Sequence, residues 1–214
     1  MSPRIAILFT LVLAACDKGD ADTRCPDAAA TPAASGSANI DVELAKLAGH
    51  ETVQKFKLRV DEAGVADKQS LYHGDATAIP EPVLALARER YAGAKIERYE
   101  SELYREHGRI FEVELTTAEG QRCEIAASAD ATELYTECRL TPETMPAPIR
   151  DAITKLYPQG KVVEVETKRG PKVDEVTVEV ELADGREHYV RLQPDGTLLA
   201  RYARVPAVLE VPLR

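Results

Sequence analysis

The 214-residue chain has no hydrophobic run long enough to cross a bilayer. Its longest, Ile5 to Ala15, is eleven residues broken only by Thr10, whereas a helical span needs about 20. Catalytic signatures are missing as well. His50, His73, His107 and His188 stand in neither His-x-x-x-His nor His-Glu-x-x-His spacing, which removes the usual metalloprotease arrangement. No Gly-x-Ser-x-Gly marks a nucleophile elbow. The 12 glycines never form a run that could cradle a phosphate, and no Asp-x-Asp-x-Asp-Gly loop offers a calcium ligand set. Nothing in the sequence therefore points to a metal or a cofactor. An excess of base is also absent: the net charge is −9. Nucleic acid and anionic headgroups both repel such a surface.

What is present begins at the N-terminus. Arg4 followed by the short apolar run has the form of a signal peptide. Directly after it, Leu13-Ala14-Ala15-Cys16 resembles the bacterial lipobox, in which small residues fit the signal peptidase and the cysteine thiol accepts a diacylglyceryl group. The resemblance implies cleavage before Cys16 and a membrane contact made by lipid alone, on the outer side of a bacterial inner membrane or beyond. Asp17 resembles an inner-membrane retention signal of some Gram-negative bacteria, a rule that varies and leaves the leaflet open. The processed chain keeps 26 basic against 36 acidic residues, because residues 1–15 hold Arg4 and no acid.

Residues 16–39 are mostly Ala, Asp, Gly, Pro, Ser and Thr without an aromatic ring, a composition that buries too little apolar surface to offset chain entropy and reads as a flexible tether. About 175 residues remain, enough for one sizeable core or two small ones. Of the four cysteines, Cys16 is assigned to lipid and Cys25 lies in the tether, left odd, either free or linking chains. Cys123 and Cys138 flank the run Glu124 to Glu137. A two-residue hairpin loop at Asp130-Ala131 would pair them directly, at a Cα separation near 5.5 Å that suits a disulfide. The competing zinc pair lacks a second cysteine pair or a close histidine.

An internal repeat organises the rest. Ile79-Pro80-Glu81-Pro82 returns as Met145-Pro146-Ala147-Pro148, Tyr91 as Tyr157, Lys95 as Lys161 and Glu100 as Glu166. Phe111-Glu112-Val113-Glu114-Leu115 returns one residue out of phase as Val178-Glu179-Val180-Glu181-Leu182. Each copy reads as a helix begun by proline, with Val83, Ala87 and Tyr91 or Ile149, Ile153 and Tyr157 on one face, followed by four strands. Alternation puts Phe111, Val113 and Leu115 on the helix side and Glu112 and Glu114 opposite, which predicts a polar sheet face in water. A further strand, turn and strand over Phe56 to Tyr72 would be a closing hairpin without its helix, and Ile40, Leu44 and Leu47 suggest a short helix from near Asp41. The expected fold class is α+β: two tandem repeats of one helix plus a four-stranded antiparallel sheet, preceded by an extra β-hairpin. The boundaries fall at 1–15, 16–39, 40–78, 79–142 and 143–214.

Pro-x-Pro at a helix start, an aliphatic helix ending in Tyr-(Pro or Ala)-x-(Gly or Ala)-Lys-(Ile or Val), a Val-Glu-Leu strand and an Asp-Gly-type hairpin together resemble the PepSY-like family, some members of which carry tandem repeats similar to β-lactamase-inhibitor proteins. The similarity covers roughly Ile79 to Arg204. It implies an envelope protein with a curved antiparallel sheet backed by helices that binds or restrains other proteins, and it transfers no catalytic residue.

The expected partners are therefore a membrane, through the lipid, and an unidentified envelope protein or peptide. Tyr99, Tyr104, Tyr135 and Tyr202 stand among acids on predicted solvent faces, a frequent interface composition, unless they pack under loops. The expected function is a non-catalytic protein-binding module on a membrane-anchored lipoprotein, for instance an inhibitor of an envelope peptidase, a reading that these rings, clustered on one exposed sheet face, would favour. Dispersed or buried, they would favour a structural or sensory lipoprotein. A deep pocket with converging His, Ser or Glu would instead point to an enzyme. His188, between predicted inward positions, fits a satisfied structural histidine.

Overall fold

In the computed structural model the described residues are 53–105 and 108–208. The signal run, Cys16, the tether with Cys25, the helix expected near Asp41, His50 and His107 lie outside them.

Ten strands follow one another as neighbours in a single antiparallel sheet. They are β1 (Val53–Val60), β2 (Ala66–His73), β3 (Lys95–Tyr104), β4 (Gly108–Thr116), β5 (Arg122–Ala127), β6 (Glu133–Leu140), β7 (Lys161–Gly170), β8 (Val173–Glu181), β9 (Glu187–Leu192) and β10 (Leu198–Arg204). Helix α1 (Glu81–Arg90) precedes β3, and α2 (Ala147–Leu156) precedes β7. Each helix has the first proline of its Pro-x-Pro as N-cap and the second in its first turn, where a missing N–H is harmless.

Two separate four-stranded sheets, each with its own helix, do not exist. β6 pairs with β7 from Thr136↔Arg169 to Leu140↔Val165, which joins the strands on either side into one sheet. The physical reason is edge satisfaction: β6 and β7 would otherwise each present an unpaired ladder, and pairing them removes two edges at once. With two short α-helices against ten strands among the described residues, the architecture is a continuous sheet backed by helices, not a pair of α+β repeats.

The helix-side face carries two apolar clusters. Val83, Leu84 and Ala87 of α1 pack on Phe111, Val113, Ile125 and Ala127. Ile149 and Ile153 of α2 pack on Val165, Val176, Val178, Val180, Val190 and Leu192. Ten strands with a right-handed twist rarely stay open without curling. Here the curl brings the two ends of the meander together, so that the Arg59 guanidinium of β1 lies 5.2 Å from the ring centre of Tyr202 on β10. The face opposite the helices thereby becomes an interior.

Candidate functional site: a buried carboxylate interior

Strand alternation sends one polar side chain in two into that interior. In register, Glu100 faces Glu112, Glu114 faces Glu124, and Glu124 faces Glu137. The expectation that Glu112 and Glu114 sit on a solvated face is overturned, since they are only 4 % and 6 % exposed. Alternation assigns a face, but whether that face meets water depends on curvature, which a local pattern does not carry.

The carboxylates are held unequally. Glu102 accepts hydrogen bonds from Ser70 Oγ (2.7 Å) and the Tyr104 hydroxyl (2.8 Å) and is ion-paired with Lys68. Burial, the largest single influence, would raise its pKa, but the charge and hydrogen bond of Lys68, with Lys168 and Ser70, together hold it down at about 2. Glu112 accepts a hydrogen bond from the Tyr135 hydroxyl, and burial followed by the Glu102 charge pushes its pKa up to about 7. Glu124, between two acids in the ladder, is pushed up to about 8 by burial and then by Glu112 and Glu137. Glu100 is raised well above the carboxylate range by burial and by Glu112. Glu137 accepts from Thr177 Oγ1 at 3.1 Å and is paired with Lys168 at 2.9 Å. Glu114 is clamped by Arg98 and Arg122.

Basic and aromatic groups also stack on one another along the sheet. Lys55, Lys57 and Arg98 lie 5.0, 4.9 and 4.7 Å from the centre of the Tyr72 ring. Lys168 stands 4.0 Å from the centre of Tyr135. Such cation–ring contacts contribute about 0.5–1 kcal/mol each where exposed and more where desolvated.

The tyrosines expected at an interface are not brought together on an exposed surface. Tyr135 is buried and Tyr104 and Tyr202 are half-buried, all three facing the interior, while Tyr99 is on the opposite face against the α1 cluster. Cys123 and Cys138, directly opposed on β5 and β6, are joined by a disulfide with Cα atoms 4.1 Å apart. That separation is closer to the narrow cross-strand pairing than to the wide one near 5.5 Å. The hairpin beyond them is bulged between Ala126 and Ala127, and Ala131 takes a positive φ of 63°. His188 Nδ1 lies 3.0 Å from the Tyr157 hydroxyl, and His73 Nε2 lies 3.0 Å from Ser101 Oγ on the helix-side face. Neither histidine joins the carboxylates.

Sequence reasoning missed Lys68, Glu100, Glu102, Glu124, Glu137, Glu166 and Lys168 as a set. The signal that could have found them is global: ten consecutive antiparallel strands must coil, and the inward positions then include glutamates opposite glutamates.

The carboxylates converge, yet they enclose little space. A cavity of about 10 Å³ lies among Glu114, Arg122, Glu124, Glu137, Arg139 and Glu166, room for about one water. A larger open groove of about 460 Å³, lined by Leu156, Tyr157, Gly160, Leu182 and Arg186 among others, includes none of these acids.

Fold and interior together define a helix-backed antiparallel sheet curled around a charged core. No protein-family model matches the chain, and no curated protein does. Among solved structures the chain is similar to a protein assigned to the periplasm from Bacteroides eggerthii, at 16 % identity over 58 % of this chain and 88 % of that one, with a TM-score of 0.48. It is also similar to a BLIP-like protein from Bacteroides fragilis, at 19 % identity over 64 % and 94 %, TM-score 0.47. A DUF2874 family protein from Bacteroides uniformis is similar at 18 % identity over 58 % and 88 %, TM-score 0.47.

Proposed function

We propose that the chain is a non-enzymatic lipoprotein of the bacterial envelope, structural or sensory in role, held to a membrane by lipid on Cys16. The observation that carries the role is the disposition of its rings and charges. The tyrosines that a dedicated interface would expose are dispersed over both faces and largely covered, while the ionisable groups are gathered inside, where their charge state answers to conditions in the envelope. Leu13-Ala14-Ala15-Cys16 supports the anchor, and the Cys123–Cys138 bridge suits an oxidising compartment. The cavity among Glu114, Glu124, Glu137 and Glu166, about 10 Å³, has room for about one water and none for an organic substrate.

A second reading, a module that captures one partner and inhibits an envelope enzyme such as a peptidase, draws on a different observation. Leu58 and Val60 on edge strand β1 and Leu198 and Leu199 on edge strand β10 are 41–46 % exposed, on the two strands whose outer ladders are unpaired. An extended peptide could add a strand at such an edge.

Affinity capture from the native envelope separates the two, with the soluble chain from Pro26 as bait and a pre-reduced bait as the control for fold dependence. One saturable, fold-dependent partner would establish the capture module and displace the sensory reading. No such partner, with membrane association lost in Cys16→Ala, is the expected result.

A further inference from the structure

We propose that Glu100, Glu102 and Glu112 form a binding site for a hard divalent cation of calcium's size. One carboxylate oxygen from each can be chosen so that all lie within 4.8 Å of one another. Oxygens that close can share one hard cation, and calcium takes them at about 2.3–2.6 Å in a flexible geometry. The donors are all carboxylate oxygens, which suit hard cations over zinc or copper.

A cluster of acids is commonplace on a surface, where water and salt screen it. Here the three are 6 %, 1 % and 4 % exposed. Two of them are already fixed in place, Glu102 by Ser70, Tyr104 and Lys68, and Glu112 by Tyr135. Glu100 is different. It is aimed at the other two from directly across the β3–β4 ladder, where it faces Glu112. It has no hydrogen bond or ion pair among the described residues, although the neighbours that surround it are polar. Buried carboxylates are normally paired or bound to metal, because an ionised group without a partner is strongly disfavoured in a low-dielectric interior.

Charge balance gives the same answer. Three carboxylates beside the Lys68 ammonium leave two negative charges, which two protons or one divalent cation would neutralise. The ionised form of Glu100 therefore gains most from the ion, and bidentate carboxylates with water complete the six to eight oxygens that calcium takes. This deepens the sensory reading by naming an ion that the interior would report.

The test uses the mature chain in detergent and terbium(III) as the probe. The sequence has no tryptophan and eight tyrosines, so tyrosine is the antenna, and Tyr104 and Tyr135 already hydrogen-bond two of the proposed ligands. Tyrosine-excited terbium emission should rise saturably and be displaced by calcium, and calcium should raise Tm at pH 8. Glu100→Gln should weaken terbium binding at least tenfold and abolish the calcium response of Tm, without lowering Tm in the absence of ions, because it replaces a buried carboxyl by an amide of the same shape. The exposed control Glu143→Gln should leave both unchanged. An unsaturable signal, or equal effects of the two substitutions, would overturn the site. Envelope capture, scored separately, decides the sensory reading, so loss of the cation site and loss of that reading are distinguishable.

Discussion

Arg59 on β1 lies over the ring of Tyr202 on β10, guanidinium carbon to ring centre 5.2 Å, although these strands share no backbone ladder. The same guanidinium is 5.9 Å from the centre of Tyr104 and makes two 3.0 Å hydrogen bonds to Asp67 on β2. One side chain thus ties the first strand to the last and to the lining of the interior between them.

Arg59→Ala should therefore destabilise the chain by about 1–2 kcal/mol, the sum of two partly covered cation–ring contacts and a partly buried ion pair. Its diagnostic effect is spatial. Amide exchange should accelerate in β10 as well as in β1, even though eight strands separate them in sequence order. Arg59→Lys, which keeps the charge but loses the planar group, should give an intermediate result. Faster exchange confined to β1 and β2 would mean that the seam carries no stability.

The interior carboxylates make stability depend on pH in an unusual sense. Glu112 and Glu124 titrate near 7 and 8 in the folded chain, raised first by burial and then by neighbouring carboxylates, and near 4.3 when unfolded. A raised folded pKa gives stability that is fully present below the unfolded value and is lost as pH rises through the folded one. Glu102, held at about 2 against burial by Lys68, acts oppositely: its contribution is present above about 4.3 and is lost as pH falls towards 2. Maximum stability should then lie near pH 4.5–5, with a loss on the order of 3 kcal/mol attributable to Glu112 by pH 8. Urea unfolding at pH 5 and pH 8 measures it. Glu112→Gln should flatten the slope, and stability that climbs over this interval would contradict the assigned direction.

How much of this was legible in the sequence follows from the range of each interaction. Helix starts depend on residues within one turn, so Pro80-Glu81-Pro82 and Pro146-Ala147-Pro148 place α1 and α2 directly. Alternation likewise identified the apolar positions Phe111, Val113 and Val178. The pairing of Thr136 with Arg169 joins segments 33 residues apart and leaves no local trace, so one sheet was read as two. Glu112 and Glu114 were read as solvated for a related reason: their burial arises from the coil of all ten strands. The approach of Glu100 to Glu102 and Glu112 is legible only once that coil is known.

The Cys123–Cys138 bridge closes a 15-residue separation between neighbouring strands. Loop-closure arithmetic assigns such a loop about 3 kcal/mol through the unfolded chain, within a usual range of about 2–4. Cys123→Ser with Cys138→Ser should lower stability by that amount while leaving the β5–β6 register in place, since Glu124↔Glu137 and Ala126↔Tyr135 are paired independently. Thermal unfolding with and without reductant checks it. A Tm that does not move on reduction would remove the bridge from the account of stability.

Gly170 ends β7 at a point where the backbone of β6 comes too close for a side chain. A Cβ there would lie 2.1 Å from the Leu134 carbonyl oxygen and 2.9 Å from Tyr135 Cα, both main-chain atoms that cannot rotate aside. Gly120 in the β4–β5 turn has the opposite constraint, with nothing within 4 Å of a Cβ but a φ of +83°. Gly120→Ala should cost about 1–2 kcal/mol, the penalty for a left-handed non-glycine residue. Gly170→Ala should cost about 1–3 kcal/mol through overpacking, and it should do something the turn variant does not. By pushing on Tyr135, it should weaken the hydroxyl's hydrogen bond to Glu112. A weaker bond makes the Glu112 carboxylate still harder to ionise, since that bond lowers its pKa. The fall in stability should therefore begin at the same pH, set by the unfolded carboxyl, but level off at a higher pH in Gly170→Ala and at an unchanged one in Gly120→Ala. Matching pH profiles for the two variants would show that the β6–β7 contact does not reach the interior.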